Sequence, residues 1–284
     1  MTPATPESTA SFEQQVATGE RFEFGRNWAR FLSVLDDERI AEAERSLRAM
    51  LGEDLHGRTF LDIGSGSGLF SLAAMRLGAA RVHSFDFDPN SVGCAQELRR
   101  RYFPEDRRWT VERGNALDPR YLESLGTFDI VYSWGVLHHT GHMWPALENA
   151  AGRVGPGGTL FIAIYNDQGW VSRLWHRVKV LYNRNALTRA MIIGVYFPYF
   201  ALSGLAVDVL KRQNPVARYT EYKKARGMSK VHDWYDWLGG LPFEVARPEQ
   251  IFDFYRDRGF ELARLRTCGG GLGCNEFVFR RKAI

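Results

Sequence analysis

Apolar residues follow two different patterns along the chain, and the chain divides into two parts where the pattern changes. Between residues 21 and 54, apolar positions such as Ile40, Ala43 and Leu47 recur at helical spacing with charged residues between them. From residue 59 onward, short apolar runs of strand length alternate with amphipathic helical stretches. This alternation predicts a doubly wound α/β fold, in which mostly parallel strands are joined by right-handed helical crossovers.

Five runs predict the parallel strands, and two further runs near the C-terminus alternate like a pair of strands. The five are TFLDIG (59–64), ARVHSFDFDP (80–89), WTVERGNALD (109–118), FDIVYSWGVLHH (128–139) and TLFIAIYN (159–166). The final pair is FELARLRT (260–267) and NEFVFRRK (275–282), joined by the turn sequence CGGGLGC. The pair predicts a hairpin that closes the sheet.

The same patterns predict four regions. Residues 1–20 are small and polar and predict a flexible tail, and residues 21–54 predict an N-terminal helical segment that carries an aromatic cluster including Trp28. Residues 55–166 and 246–284 predict the ligand-binding sheet domain. Residues 167–245 are too long for a connection and predict an inserted, aromatic-rich helical lid or substrate subdomain.

Composition narrows the class of protein. The 284-residue chain has a formal net charge of +4 and only three cysteines, with no CxxC pair. A disulfide framework or a zinc site is therefore not expected, and a reducing compartment fits. The first residues have neither a basic region nor an apolar core of the kind found in signal peptides, so we expect a cytoplasmic protein. The small net charge argues against a nucleic-acid partner.

The turn after the first strand carries the clearest chemical signal. It reads DIGSGSG over residues 62–68, with an acid two residues before the first of three alternate glycines. A dinucleotide-binding turn has its third glycine one position later. Asp86 follows at the end of the second strand, where a carboxylate can accept ribose hydroxyls. GNALD (114–118) and WGVLHH (134–139) follow in that order. Together these motifs resemble those of class I S-adenosylmethionine-dependent methyltransferases.

The resemblance implies a Rossmann-like sheet with an antiparallel seventh strand beside the sixth, and S-adenosylmethionine as the cofactor, released as S-adenosylhomocysteine. It covers roughly residues 55–166 and 248–281. A carboxylate at Asp62 can balance the ammonium of the cofactor, and Phe87 can pack on its adenine. The residues that it assigns to the cofactor are Asp62, Gly64, Ser65, Gly66, Gly68, Asp86, Phe87, Asn115, Ala116 and Trp134.

For the acceptor, the resemblance is to small-molecule O-methyltransferases of sugars and ubiquinone precursors. A hydroxyl acceptor needs a base, and an imidazole suits that task. The candidates for the base are His139, His138 and, in the lid, His232. Trp28, Tyr165, Asn166, Trp234 and Trp237 are the candidate substrate-binding residues. No metal is expected. N- or C-methylation of a hydrophobic or isoprenoid metabolite, tRNA modification, and a non-catalytic cofactor-binding scaffold remain alternatives.

Residues 191–207 of the insertion contain no charge and are interrupted by Pro198. Seventeen residues is at the short limit for a bilayer span. The stretch fits a buried lid helix or a homo-oligomer contact, a peripheral membrane or lipid-substrate contact, or a membrane span. Basic residues farther along, namely Lys223, Lys224, Arg226 and Lys230, keep the tRNA alternative open.

Overall fold

The computed structural model describes residues 11–52, 55–216 and 230–283. These residues form a seven-stranded sheet with the order β3-β2-β1-β4-β5-β7-β6. The strands are β1 (Thr59–Ile63), β2 (Arg81–Asp86), β3 (Trp109–Arg113), β4 (Phe128–Trp134), β5 (Val154–Tyr165), β6 (Phe260–Arg266) and β7 (Cys274–Arg281). The predicted doubly wound sheet and its antiparallel seventh strand are confirmed, because β7 pairs antiparallel with both β5 and β6.

The helices lie on both faces of the sheet and at its ligand-binding end. They are α1 (Phe12–Ala17), α2 (Phe24–Leu32), α3 (Asp37–Leu51), α4 (Leu69–Arg76), α5 (Pro89–Tyr102), α6 (Pro119–Ser124), α7 (Met143–Ala151), α8 (Trp170–Arg184), α9 (Ala186–Leu210), α10 (Lys230–Gly239) and α11 (Pro248–Arg256). A short 3-10 helix covers Leu137–His139. Two apolar clusters, one on each face of the sheet, form the core of the domain.

The N-terminal region differs from the expected flexible tail over residues 1–20. Residues 1–10 lie outside the described part, but α1 begins at Phe12 behind a capping box formed by Ser11 and Gln14. The Phe12 ring is buried and packs edge-on against Phe87, with 5.6 Å between ring centroids. A single aromatic residue therefore anchors a segment that its polar composition predicts to be loose.

The inserted lid is made of α8, α9 and α10, whose aromatic side chains pack together. Trp175 of α8 lies 5.2 Å from Tyr196 of α9 and 5.2 Å from Trp237 of α10, measured between ring centroids. The uncharged stretch 191–207 lies inside α9. Only 6% of the most apolar 18-residue window of this helix is buried, so the interpretation as a helix buried within the lid is wrong. Its inner face packs on the lid and its outer face is exposed.

Candidate functional site

A cavity of about 550 Å³ lies at the carboxyl ends of β1, β2, β3 and β4. This is where parallel α/β sheets bind ligands, and the volume is within the range of small-molecule sites. One wall comes from the turns that follow the four strands, and we call it the sheet wall. The opposite wall combines the N-terminal helices with Phe200, Trp234 and Trp237 of the insertion, and we call it the lid wall.

The glycine turn after β1 has a backbone conformation that residues with a side chain rarely adopt. Gly64, Gly66 and Gly68 have φ angles of 76°, 53° and 81°. A Cβ atom on Gly64 would lie 2.3 Å from Val136 Cγ1, and one on Gly66 would lie 2.9 Å from Trp28 Nε1. The turn thus leaves its backbone directly against the cavity, and Trp28 covers it from the N-terminal side.

Asp62 is a buried carboxylate at the start of this turn. Its Oδ2 accepts a hydrogen bond of 2.5 Å from the Ser71 hydroxyl. Burial raises the pKa of Asp62 to about 7, and the charge of Asp86 acts in the same direction. Within the described residues, no Lys or Arg forms an ion pair with Asp62. The ionised form of Asp62 therefore has a charge that a cationic ligand group would balance.

Asp86 lies beside the turn at the end of β2. Its Oδ2 accepts a hydrogen bond from the Gly66 backbone N–H at 2.9 Å, and its Oδ1 accepts one from the Asp88 N–H at 2.9 Å. Each carboxylate oxygen keeps a further lone pair for a ligand hydroxyl. Burial raises the pKa of Asp86 to about 6, while the charge of Arg21 opposes that shift.

The next part of the sheet wall combines a ring with the loop after β3. Phe87 lies against the cavity, and the Arg21 guanidinium is 5.1 Å from its ring centroid. The Asn115 side-chain oxygen accepts a hydrogen bond from the Leu117 N–H at 2.9 Å, so this oxygen shapes the loop. The Ala116 carbonyl accepts a hydrogen bond from Asn149 Nδ2. Both Asn115 and Ala116 line the cavity.

Ser65 and Trp134 complete the residues that the sequence assigns to the sheet wall. The Ser65 hydroxyl is buried at the cavity and has no hydrogen-bond partner in the part of the chain that is described. Trp134 closes the end of β4, and its indole N–H donates to Glu276 Oε1 at 2.9 Å. The structure therefore brings all ten predicted cofactor residues to the turn and cavity, with Gly68 behind the turn at the start of α4.

The two adjacent histidines face different surroundings. His139 lines the cavity, and its Nδ1 lies 2.6 Å from the Pro242 carbonyl. A carbonyl only accepts hydrogen bonds, so Nδ1 carries the proton and Nε2 keeps its lone pair. Burial and the charge of Lys179 lower the pKa of His139 to about 3. The ring is neutral at physiological pH.

His138 does not line the cavity. It is fully buried behind His139, with its ring centroid 4.0 Å from that of Tyr165. Neither ring nitrogen makes a hydrogen bond of normal geometry with a described residue, although the Ala163 backbone favours the charged form of the ring. Burial holds the pKa of His138 well below its usual range. His232, the third candidate, belongs to α10, but its side chain lies outside the described residues.

Lys179 is a buried cation that the sequence analysis missed. It is fully buried in α8 and donates a hydrogen bond to the Trp237 carbonyl. Its Nζ lies 4.6 Å from the Trp237 ring centroid and 4.8 Å from that of Phe243. Burial lowers the pKa of Lys179 to about 7, while the charge of Asp236 favours the protonated form. A lysine in a helical run of mixed residues gives no sequence signal of this environment.

Four of the five predicted substrate-binding residues line the cavity, and one does not. Trp28, Tyr165, Trp234 and Trp237 form part of the cavity surface. Asn166 lies outside it, where its side-chain oxygen accepts a hydrogen bond from Asn275 Nδ2 at 3.0 Å. This hydrogen bond connects the ends of β5 and β7 at the point where the chain enters the insertion. Its position therefore indicates a structural contact.

The N-terminal region supplies further cavity residues that the sequence analysis did not assign to the site. Phe12, Arg21 and Phe24 line the cavity. Arg21 donates a hydrogen bond from Nη1 to the His139 carbonyl at 3.0 Å, and the Phe24 and His139 ring centroids are 5.0 Å apart. Burial lowers the pKa of Arg21 to about 10, opposed by the charges of Asp86 and Asp88. These residues hold His139 in place from the side opposite the sheet.

Comparison with known proteins separates the sheet domain from the rest. A family model described as a methyltransferase domain matches residues 61–160, from β1 into β5. The chain contains a class I S-adenosylmethionine-dependent methyltransferase domain. The match covers the glycine turn, Asp86 and both histidines. It ends before the insertion begins.

Curated relatives of this methyltransferase domain match only part of the chain. A ribosomal protein L11 methyltransferase from Alteromonas mediterranea is 46% identical over 61 residues, which are 22% of this chain and 21% of that protein. The protein of the same name from Anoxybacillus flavithermus is 34% identical over 119 residues, 36% of this chain and 37% of that protein. The chain thus spans about a fifth to just over a third of these relatives.

Solved structures share the fold over much more of the chain. Magnesium protoporphyrin IX methyltransferase from Synechocystis PCC 6803 with bound S-adenosylmethionine has a TM-score of 0.55 at 12% identity, and covers 98% of this chain and 100% of that one. The [4+2]-cyclase SpnF has a TM-score of 0.52 at 12% identity, with 86% and 81% covered. At such identities the likeness concerns the fold alone, and a cyclase shares it.

S-adenosylmethionine is the cofactor of the methyltransferase domain, and the residues of the cavity fit it. Asp62 offers a buried carboxylate that forms no ion pair with a described residue and can bind the ammonium group, and Asp86 offers acceptor lone pairs for ribose hydroxyls. The positive-φ glycines expose backbone groups to the methionine part. Among the described residues, no group of three or more His, Cys, Asp or Glu is placed to hold a metal ion. That no metal takes part stays a prediction.

Proposed function

We propose that the protein transfers a methyl group from S-adenosylmethionine to the hydroxyl oxygen of a small, apolar acceptor, most readily a phenol. The observation that carries the proposal is the neutral His139 at the cavity wall, with its Nδ1 proton held by the Pro242 carbonyl. Its Nε2 lone pair can accept a hydrogen bond from a hydroxyl. The rings of Phe24, Tyr165 and Trp237 around it suit a flat apolar acceptor.

The chemistry assigned to the chain is positioning and proton transfer. The bound cofactor supplies an electrophilic methyl group on a sulfonium. With the cofactor bound, the methyl group would pass to the acceptor oxygen, S-adenosylhomocysteine would be the leaving group, and Nε2 of His139 would take the hydroxyl proton. The site exchanges a sulfonium charge for an imidazolium charge, so its net charge is unchanged. Tyr165 and Trp237 exclude water from that exchange.

The low pKa of His139 sets a requirement on the acceptor. An imidazole with a pKa of about 3 takes a proton readily only from an acidic hydroxyl. A phenol meets this condition better than a sugar alcohol does. The same observation favours C-methylation of an electron-rich ring as the second candidate, because an ionised phenol or enol can also react at carbon.

The experiment is a methyl-transfer screen with labelled S-adenosylmethionine. The purified protein is incubated with phenols, sugar alcohols, amines, bulk tRNA and ribosomal protein L11, and products are analysed by mass spectrometry. We expect O-methylated phenols, and transfer by Asp86→Asn that is about tenfold slower or more at limiting cofactor concentration. Transfer to tRNA or to ribosomal protein L11 at physiological salt, with none to the small molecules, would replace the proposal.

A further inference from the structure

The outer face of α9 is an apolar surface that nothing in the described chain covers. We define it by six exposed side chains, Leu187, Met191, Val195, Leu202, Leu205 and Val209. At 3.6 residues per turn these positions fall within an arc of about 80°. Five of the six are more than 60% exposed. A contiguous stripe of this kind marks an interaction surface rather than scattered surface residues.

The opposite side of α9 belongs to the lid. Tyr196, Phe197 and Phe200 pack against the aromatic side chains of α8 and α10, and Asp208 is buried on the same side. The helix is one that could cross a membrane by length and composition. With its inner face occupied by the lid, it cannot be surrounded by lipid. It can lie flat at an interface.

The charge around α9 is strongly biased. Residues 168–216 contain seven Lys and Arg and one acid, whereas the rest of the chain contains 30 Lys and Arg and 32 Asp and Glu. The single acid is Asp208, which is buried. Arg184 precedes the helix, Lys211 and Arg212 follow it, and all three are exposed. The exposed surface of this segment is thus apolar in the middle and basic at both ends.

We propose that the outer face of α9 is a membrane-docking surface, which seats the lid on a bilayer that contains anionic lipids. Apolar side chains enter the boundary between headgroups and acyl chains, and Arg184, Lys211 and Arg212 bind lipid phosphates. A second copy of the chain fits this surface less well. Parallel or antiparallel pairing of two α9 helices would place their basic ends next to one another without acids to balance them.

Docking of this kind places the cavity next to the bilayer. Phe200 lies on the inner side of α9 and lines the cavity, while the outer face is on the other side of the same helix. An apolar acceptor dissolved in the membrane would reach the lid without crossing bulk water. This consequence rests on the proposed function, but the docking surface itself does not.

The test is flotation of the full chain with vesicles of phosphatidylcholine, alone or with one third phosphatidylglycerol, at low and high salt. We expect binding to the mixed vesicles that weakens at high salt. The double variant Val195→Glu/Leu202→Glu should bind at least tenfold more weakly. The triple variant Arg184→Gln/Lys211→Gln/Arg212→Gln should lose about a hundredfold on mixed vesicles, roughly fivefold per charge, and little on neutral ones.

Matched controls replace exposed residues elsewhere, with Val34→Glu/Leu265→Glu for the apolar change and Arg107→Gln/Arg120→Gln/Arg280→Gln for the basic one. They should bind vesicles like the unchanged chain. All variants should bind S-adenosylhomocysteine normally by calorimetry, which shows that they fold. The proposal is overturned if the unchanged chain does not float, or if the controls lose as much as the variants. A dimer in sedimentation velocity that Val195→Glu/Leu202→Glu dissociates, without vesicle binding, would make the face a homodimer interface.

Discussion

The sheet wall and the lid wall of the cavity use different kinds of contact. The sheet wall presents buried carboxylates and a fixed glycine backbone, with Asp86 bound to two backbone N–H groups. The lid wall presents mainly rings, such as Trp234 and Trp237, whose contacts have little direction. Directional groups select one ligand by its donors and charges, whereas rings select by shape and apolar area. The residues of the cavity therefore specify the cofactor more narrowly than they specify the acceptor.

The largest effect is expected from replacing His139, the directional group beside the acceptor. His139→Gln should lower turnover of the best phenol from the screen by about a hundredfold or more, the usual size of a general-base effect. Its affinity for S-adenosylhomocysteine should change by less than about twofold, because Nε2 serves the acceptor in our proposal. Turnover comes from initial rates and affinity from calorimetry.

His138→Gln is the matched control for that variant. His138 is buried behind His139 and does not line the cavity, so its replacement should reduce turnover far less. Equal losses in the two variants would indicate that the pair acts through packing and not through a base.

On the sheet wall, Asp86→Asn should weaken S-adenosylhomocysteine binding by roughly ten- to a hundredfold, because charge-assisted hydrogen bonds contribute about 1.5–3 kcal/mol each. Asp253→Asn, an exposed carboxylate paired with Arg256, is the control and should bind normally. Unchanged affinity of Asp86→Asn in calorimetry would remove the ribose assignment.

The pH dependence of cofactor binding tests Asp62. Because its pKa is raised to about 7, Asp62 is mainly protonated at pH 6 and ionised at pH 8. A ligand ammonium binds the ionised form of Asp62, which contributes about tenfold, and Asp86 adds about twofold. S-adenosylhomocysteine affinity should therefore rise about twentyfold between these values. In Asp62→Asn the rise should shrink to about twofold, left by Asp86 with its pKa of about 6. A flat profile in the unchanged chain contradicts the ammonium assignment.

The smallest expected effect concerns Lys179. With its pKa lowered to about 7, Lys179 loses its charge as pH rises through that value, and His139 then becomes a stronger base. Turnover at saturating cofactor should therefore rise severalfold from pH 6 to pH 8. Lys179→Met should remove this inflection while leaving turnover at pH 8 nearly unchanged. A persistent inflection would assign it to another group.

The sheet wall could be predicted from the sequence because its signals are local. Gly64, Gly66 and Asp86 occupy fixed places in one strand-turn-helix unit and its neighbour, so a short stretch of sequence determines where they lie. The hairpin at the C-terminus and the inserted β7 follow from alternation and from the family resemblance. The order of strands and helices in the sheet domain could therefore be predicted without knowing the structure of the lid.

The lid wall could not be predicted in the same way because its contacts join distant parts of the chain. Arg21 and Lys179 sit in ordinary-looking polar surroundings in the sequence, and only folding buries them. The choice between His138 and His139 depends on a 3-10 turn, and the structural contact of Asn166 is with Asn275, far along the chain. Phe12 gave one apolar signal in a polar segment, too little to predict α1.

The contacts that join α2 and the residues before it to the lid have a consequence for the order of folding. The Phe22 backbone N–H donates to the Leu241 carbonyl, and Asn27 Nδ2 donates to Asp236 Oδ1, across 209 positions of the chain. In both pairs, the N-terminal residue leaves the ribosome long before its partner has been synthesised. The cavity can close only after nearly the whole chain has been synthesised, and such distant pairings form slowly. A nascent chain stalled before residue 236 would contain the sheet wall without the contacts that enclose it.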